Sequence, residues 1–170
     1  MLTVTMVEQL KQIPLFRELT SDELQHLARN LNERDYKKDE VIYSEGEIPG
    51  VLYLVQHGAV EITKKIPTGQ RQVIAMILSG QFFGEISFLE NRQHAARARA
   101  TVDSRMLLLH RFAYDEMEKE QPVLAHKLLR KMILVMSTNL DTMNDAFLEM
   151  IRYVFYGGKA GKTEMPGQEG

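Results

Sequence analysis

Residues 40–111 form a succession of short β-rich runs broken by turns, and few architectures accept that pattern. The runs fall at 41–43, 51–56, 59–64, 72–78, 97–102 and 106–110. Strands separated by turns every eight to twelve residues imply a sandwich or a barrel. Within 59–64, Val60 and Ile62 share one face while Glu61 and Thr63 take the other, as period-two side chains must. Gly46, Gly58, Gly69 and Gly80 sit at the breaks, where left-handed backbone angles cost least with glycine.

Helical patterns flank this β region. Residues 6–12 carry a helical apolar face that continues to Ile13, and Pro14 ends it, because proline disfavours helical geometry in the residue before it. Thr20-Ser21-Asp22-Glu23 has the spacing of a capping box, and Leu24, Leu27, Ala28 and Leu31 then define one apolar face. A short helix is expected over 114–120. Pro122 suits the first turn of the next one, which can run to about Tyr156. Along it Leu129, Met132, Met136, Leu140, Met143, Phe147, Met150 and Val154 recur at steps of three or four, a coiled-coil-like seam with one irregular step at Leu140. A small barrel cannot cover a helix of roughly 50 Å. The near part is therefore expected to pack on its own domain and the distal half to form a homodimer seam. Residues 157–170 lack periodicity and are expected to be disordered. The expected organisation is thus a domain over 1–120, a long helix over 121–156 and a tail over 157–170.

Residues 80–100 carry the chemistry: Gly-Gln-Phe-Phe-Gly-Glu-Ile-Ser-Phe-Leu-Glu-Asn-Arg-Gln-His-Ala-Ala-Arg-Ala-Arg-Ala. A strand end runs into a glycine turn, a carboxylate, one short helical turn and a small-residue strand. The amides at such a turn suit an anion. The carboxylate of Glu85 only accepts, so it selects a hydroxyl rather than a phosphate oxygen. A salt bridge from Glu85 to Arg97 or Arg99 is the purely structural alternative.

This stretch resembles the phosphate-binding cassette of cyclic-nucleotide-binding domains, such as those of catabolite activator proteins and protein kinase A regulatory subunits. Phe83-Gly84-Glu85-Ile86-Ser87 matches the cassette start, and Ala95-Ala96 and Ala100 match its end. Ile13-Pro14-Leu15-Phe16 is similar to the family's entry segment, and Gly46, Gly58, Gly80 and Gly84 fall where its structural glycines fall. The likeness covers about residues 7–155. It implies an α+β fold: a β-roll, of the double-stranded β-helix or jelly-roll kind, with N-terminal helices and a long C-terminal helix. It implies that Glu85 accepts from a ribose 2′-hydroxyl and that amides from Gly84 to Ser87 meet the cyclic phosphate. Phe83, Ile86, Ala95 and Ala96 would complete the site. It further implies that Leu128, Leu129, Met132 and Met136 are candidates to cap the base, plain packing being the alternative.

One position departs from the family. An arginine that pairs with the phosphate is expected nine residues after the glutamate, and here that residue is His94. Arginine offers a permanent charge and a planar fork, whereas a free histidine is mostly neutral at pH 7. Losing a charged hydrogen bond of about 1.5–3 kcal/mol weakens binding roughly 10- to 150-fold. Arg92 is the nearest replacement. The cassette therefore reads as a cyclic AMP or cyclic GMP site, as a pocket for another small anionic ligand, or as a scaffold for dimerisation or docking. Ala95 offers no hydroxyl of the kind found in relatives preferring cyclic GMP, which tilts the reading toward cyclic AMP.

Composition excludes other classes. The chain has no cysteine, hence no disulfide framework or thiolate metal site. Its five histidines form no His-x-His pair of the kind a metal-binding β-roll uses, and no metal site is expected. No nucleophile elbow or Walker loop is present, so no enzyme is expected. Net charge is −2, unlike a nucleic-acid binder. Only about fourteen residues follow Tyr156, too few for a helix-turn-helix, so no nucleic-acid partner is expected. No apolar run approaches a membrane span and no signal-peptide pattern begins the chain; a cytoplasmic location is expected. The remaining expectation is a free-standing regulatory sensor that passes ligand state through its long helix to another copy or to an unidentified protein partner.

Overall fold

The computed structural model describes residues 2–48 and 50–156. The expected tail at 157–170 lies outside the described residues. By its contacts the chain divides after Met132.

The first unit begins with α1 (Leu2–Gln12) and a 3-10 turn at Pro14–Phe16. Next comes α2 (Ser21–Arg29), whose capping box is formed as read from the sequence. The Glu23 amide donates to the Thr20 hydroxyl (3.2 Å) and the Thr20 amide to the Glu23 carboxylate (2.8 Å). Leu31 does not extend this helix, contrary to expectation. The Asn30 side chain donates back to the His26 carbonyl, which closes the last turn, and Leu31 opens β1 (Leu31–Tyr36).

Seven further strands follow: β2 (Val41–Tyr43), β3 (Val51–His57), β4 (Ala59–Lys65), β5 (Arg71–Leu78), β6 (Phe82–Phe83), β7 (Arg97–Ala100) and β8 (Ser104–His110). They make two four-stranded antiparallel sheets, ordered β1-β8-β3-β6 and β2-β7-β4-β5. Between β6 and β7 lies the short helix α3 (Glu85–Glu90). After β8 come α4 (Arg111–Glu120) and α5 (Pro122–Tyr156). This is the β-roll with flanking helices that the sequence implies.

Strands β3 and β8 are buried on both faces, which explains their near-continuous apolar runs. One face of each joins a helical core: Leu52, Leu54, Leu107 and Leu109 lie among Leu10, Leu24, Leu27, Leu124, Leu128 and Met132. The other faces the roll interior: Val51, Tyr53, Val55, Met106 and Leu108 lie with Val60, Ile62, Ala98 and Ala100. Ion pairs bind the start of α5 to α2 and to the turn before it, Lys127 to Glu23 at 2.7 Å and Lys131 to Glu18 at 3.2 Å. Among the described residues no helix is long and apolar enough to cross a membrane.

The second unit begins at Ile133 and holds the rest of α5. There Leu140, Met143, Phe147, Met150 and Val154 are all exposed.

Candidate ligand site around the cassette

Gly84 sets the site's geometry. It precedes α3 with φ +82°, a conformation open mainly to glycine. A Cβ there would meet the Val51 carbonyl oxygen at 2.8 Å and the Tyr53 ring at 3.1 Å. The bare backbone thus lets the cassette close onto β3. The Phe88 amide donates to the Gly84 carbonyl (3.0 Å), forming the first turn of α3. Phe83 is buried in the roll and Ser87 is 2% exposed, while Ile86 faces solvent.

Glu85 is half-buried at the start of α3. Burial pushes its carboxyl above the ordinary value, opposed by a hydrogen bond from its own amide. No ion pair to Arg97 or Arg99 forms, which removes the structural alternative for this residue. Arg99 is held instead by Asp39 (2.7 Å) and Glu61 (2.8 Å).

Four rings cluster within the adjoining roll. Tyr43 lies 5.7 Å from Tyr53 and 6.0 Å from Phe83, and Tyr53 stacks on Phe83 at 5.0 Å. The fourth is His94, face to face with Tyr43 at 3.5 Å and 7° between planes. Burial raises the Tyr43 phenol, with the nearby Glu85 charge adding to it, and likewise raises that of Tyr53. Both rings stay neutral at physiological pH.

His94 is 6% exposed. Its amide donates to the Glu47 carbonyl (2.8 Å), and its carbonyl accepts from the Gly46 amide (2.9 Å). These bonds tie the end of the cassette to the β2–β3 loop. Desolvation lowers the imidazole's pKa, partly offset by the Glu47 charge, so the ring is neutral at pH 7. Its Nε2 is buried with no hydrogen-bond partner, as is the Ser87 hydroxyl.

The other expected residues fall differently. Arg92 is exposed and pairs with Glu90 at 2.8 Å. Ala95 is exposed and Ala96 half-buried against the roll interior. Leu128 and Met132 are buried in the helical core, not in the aromatic cluster. Leu129 is half-buried, and Met136 lies beyond the first unit.

Two contributors carried no signal of their own in the sequence. Tyr43 reads as an ordinary strand residue, and its stacking on His94 joins positions 51 residues apart. Arg111 donates to the Phe88 and Leu89 carbonyls (both 3.0 Å) and pairs with Asp115 at 2.7 Å. It fastens the end of α3 to the start of α4.

Comparison with known proteins agrees with this architecture. Residues 33–120 match the family model described as "Cyclic nucleotide-binding domain". The cyclic AMP receptor protein of Thermus thermophilus is 31% identical over 119 residues, which cover 70% of this chain and 55% of that protein. The chain thus spans about half the length of that relative. A cyclic nucleotide-binding domain from Methylobacillus flagellatus superposes with a TM-score of 0.77 at 23% identity, covering 88% of this chain and 84% of that one. The regulatory subunit of a cAMP-independent protein kinase A from Trypanosoma cruzi, bound to guanosine, superposes with a TM-score of 0.65 at 24% identity, covering 76% and 45%. With the family match spanning the roll, the cassette and α4, the chain belongs to the cyclic nucleotide-binding domain family.

Proposed function

We propose that this chain is a ligand-sensing regulatory module whose cassette recognises the ribose of a nucleotide or nucleoside through Glu85. The observation that carries this reading is Glu85 itself. The carboxylate is half-buried, has no ion-pair partner among the described residues, and sits beside a cluster of neutral rings. A half-buried carboxylate without an ion-pair partner costs stability, and a ribose hydroxyl would add to the single bond from its own amide. Cyclic AMP and cyclic GMP are the ligands that family membership suggests, while the T. cruzi relative, bound to guanosine, extends the class to nucleosides.

Output follows the contacts of Arg111. A ligand that moves α3 pulls on the Phe88 and Leu89 carbonyls, hence on the guanidinium that anchors α4. From α4 the chain passes directly into α5. The exposed seam beyond Ile133 supports pairing with a second copy. The module has no proposed catalytic role.

Calorimetric titration with matched ribo- and 2′-deoxyribo-ligands tests the ribose reading. Loss of the 2′-hydroxyl should weaken binding about tenfold or more, as removal of a hydrogen bond to a charged group does. Glu85→Gln should largely erase that preference. Equal affinity for the ribo and deoxy forms would refute the role of Glu85. Absence of binding by any such ligand would leave docking as the module's work.

A further inference from the structure

We infer that the cassette takes an uncharged nucleoside in preference to a cyclic nucleotide. This rests on the ribose reading above and concerns what else the ligand carries. The inference comes from the charges around the site. A phosphate needs a cation or a set of donors. Besides the amides at the start of α3, the arginines near the cassette lie beside carboxylates or, like Arg97, whose buried Nε has no hydrogen-bond partner, belong to the face of β7 turned from the roll interior. Arg92 is exposed and paired with Glu90. Arg71 lies 3.7 Å from Glu45. Arg34 sits over the Tyr36 ring at 4.5 Å and lies 3.5 Å from Glu40. On β7, Arg97 and Arg99 alternate with Ala98 and Ala100, whose side chains join the roll interior. The two arginines therefore share the opposite face of the strand, with Thr63 and Glu61 as their register partners.

The position nine residues after Glu85 supplies no cation in this chain either. His94 is stacked on Tyr43 and buried. A charged imidazole there would lose its hydration, which the Glu47 charge offsets only in part. Glu47, bound through its carbonyl to the His94 amide, brings a second carboxylate close to this ring. Glu47 adds to the negative charge that the cassette's own Glu85 already brings, and a phosphate monoanion would enter against it.

What the site offers instead is neutral hydrogen bonding. The Ser87 hydroxyl and His94 Nε2 are buried without partners, on side chains at least nine-tenths buried. Buried polar groups are nearly always satisfied, so these two groups, which the cassette holds together with the unpartnered Arg97 Nε, point to a ligand. Hydroxyl and base heteroatoms can satisfy both, and neutral aromatic rings nearby suit a base.

Guanosine, adenosine, cyclic GMP and cyclic AMP would be titrated into nucleotide-free protein, and His94→Arg would be titrated in parallel with folding checked by circular dichroism. In the wild type at least one nucleoside should bind tenfold or more tighter than its cyclic nucleotide. His94→Arg should gain roughly 10- to 150-fold for the cyclic nucleotide. If that variant does not fold, the wild-type order alone decides. A cyclic nucleotide that binds as tightly as its nucleoside, with the 2′-hydroxyl preference intact, overturns this proposal and spares the ribose reading. No binding by any of the four overturns both.

Discussion

At the residue scale, Glu85 and His94 hold opposite consequences for stability. The carboxyl of Glu85 is raised by burial, so its contribution is favourable only while it is protonated. That contribution is lost as pH rises through the folded-state value, so the group disfavours the folded, unliganded protein above the ordinary carboxylate range. His94 is lowered by burial. Its contribution is complete above the unfolded value of about 6.5 and is lost as pH falls from there through the lowered folded value. Glu85→Gln should therefore raise the melting temperature at pH 7, with the gain shrinking toward pH 4. His94→Phe, which keeps a ring on Tyr43, should flatten the decline in stability below about pH 6.5. Melting curves across pH 4–8 read both, and unchanged slopes would refute the assigned burial. The sequence singles out Glu85 and His94 as candidates. Their burial was not legible there, because it depends on β2 and β3 closing over the cassette from more than thirty residues away.

At the element scale, legibility followed hydrophobic pattern. Strands β3, β4 and β8, the capped start of α2 and the full run of α5 all carry periodic apolar residues, and each matched its expected place. Strand β1 did not. Its sequence, Leu-Asn-Glu-Arg-Asp-Tyr, buries only its two ends, and what holds it is pairing with β8. That pairing includes Arg105 on Asp35 at 2.6 Å, a contact between residues 70 positions apart. Helix α4 likewise starts three residues earlier than its apolar pattern indicates, because Arg111 caps α3 from its first turn. The distal half of α5 displays Met143 and Phe147, 62% and 55% exposed, and burying such side chains against another helix contributes about 1.5–3 kcal/mol each. Sedimentation should find a dimer in the full chain. Met143→Glu with Phe147→Glu should convert it to a monomer that keeps its roll. A wild-type monomer at tens of micromolar would refute the seam.

At the scale of the whole molecule, the two cores divide the labour. The helical core takes one face of β3 and β8, and the roll interior takes the other. A change in the interior thus has a direct packing route to the helices through two shared strands, alongside the Arg111 link from α3 to α4. Leu128 and Met132, expected as base-capping candidates, belong to this helical core. A lid role for them requires that start of α5 to leave its packing and its ion pairs with Glu23 and Glu18. The charge balance around the cassette was only half legible in the sequence. Replacement of arginine by His94 removes one cation, but the carboxylates beside Arg92, Arg71 and Arg99 emerged only with the fold.

The most direct test is a crystal structure of the protein soaked with guanosine or adenosine. Electron density is expected in the cassette, with the ribose 2′-hydroxyl within hydrogen-bond distance of Glu85 and His94 still stacked on Tyr43. A nucleoside bound elsewhere, or one seated in the cassette with its ribose turned away from Glu85, would contradict the ribose reading.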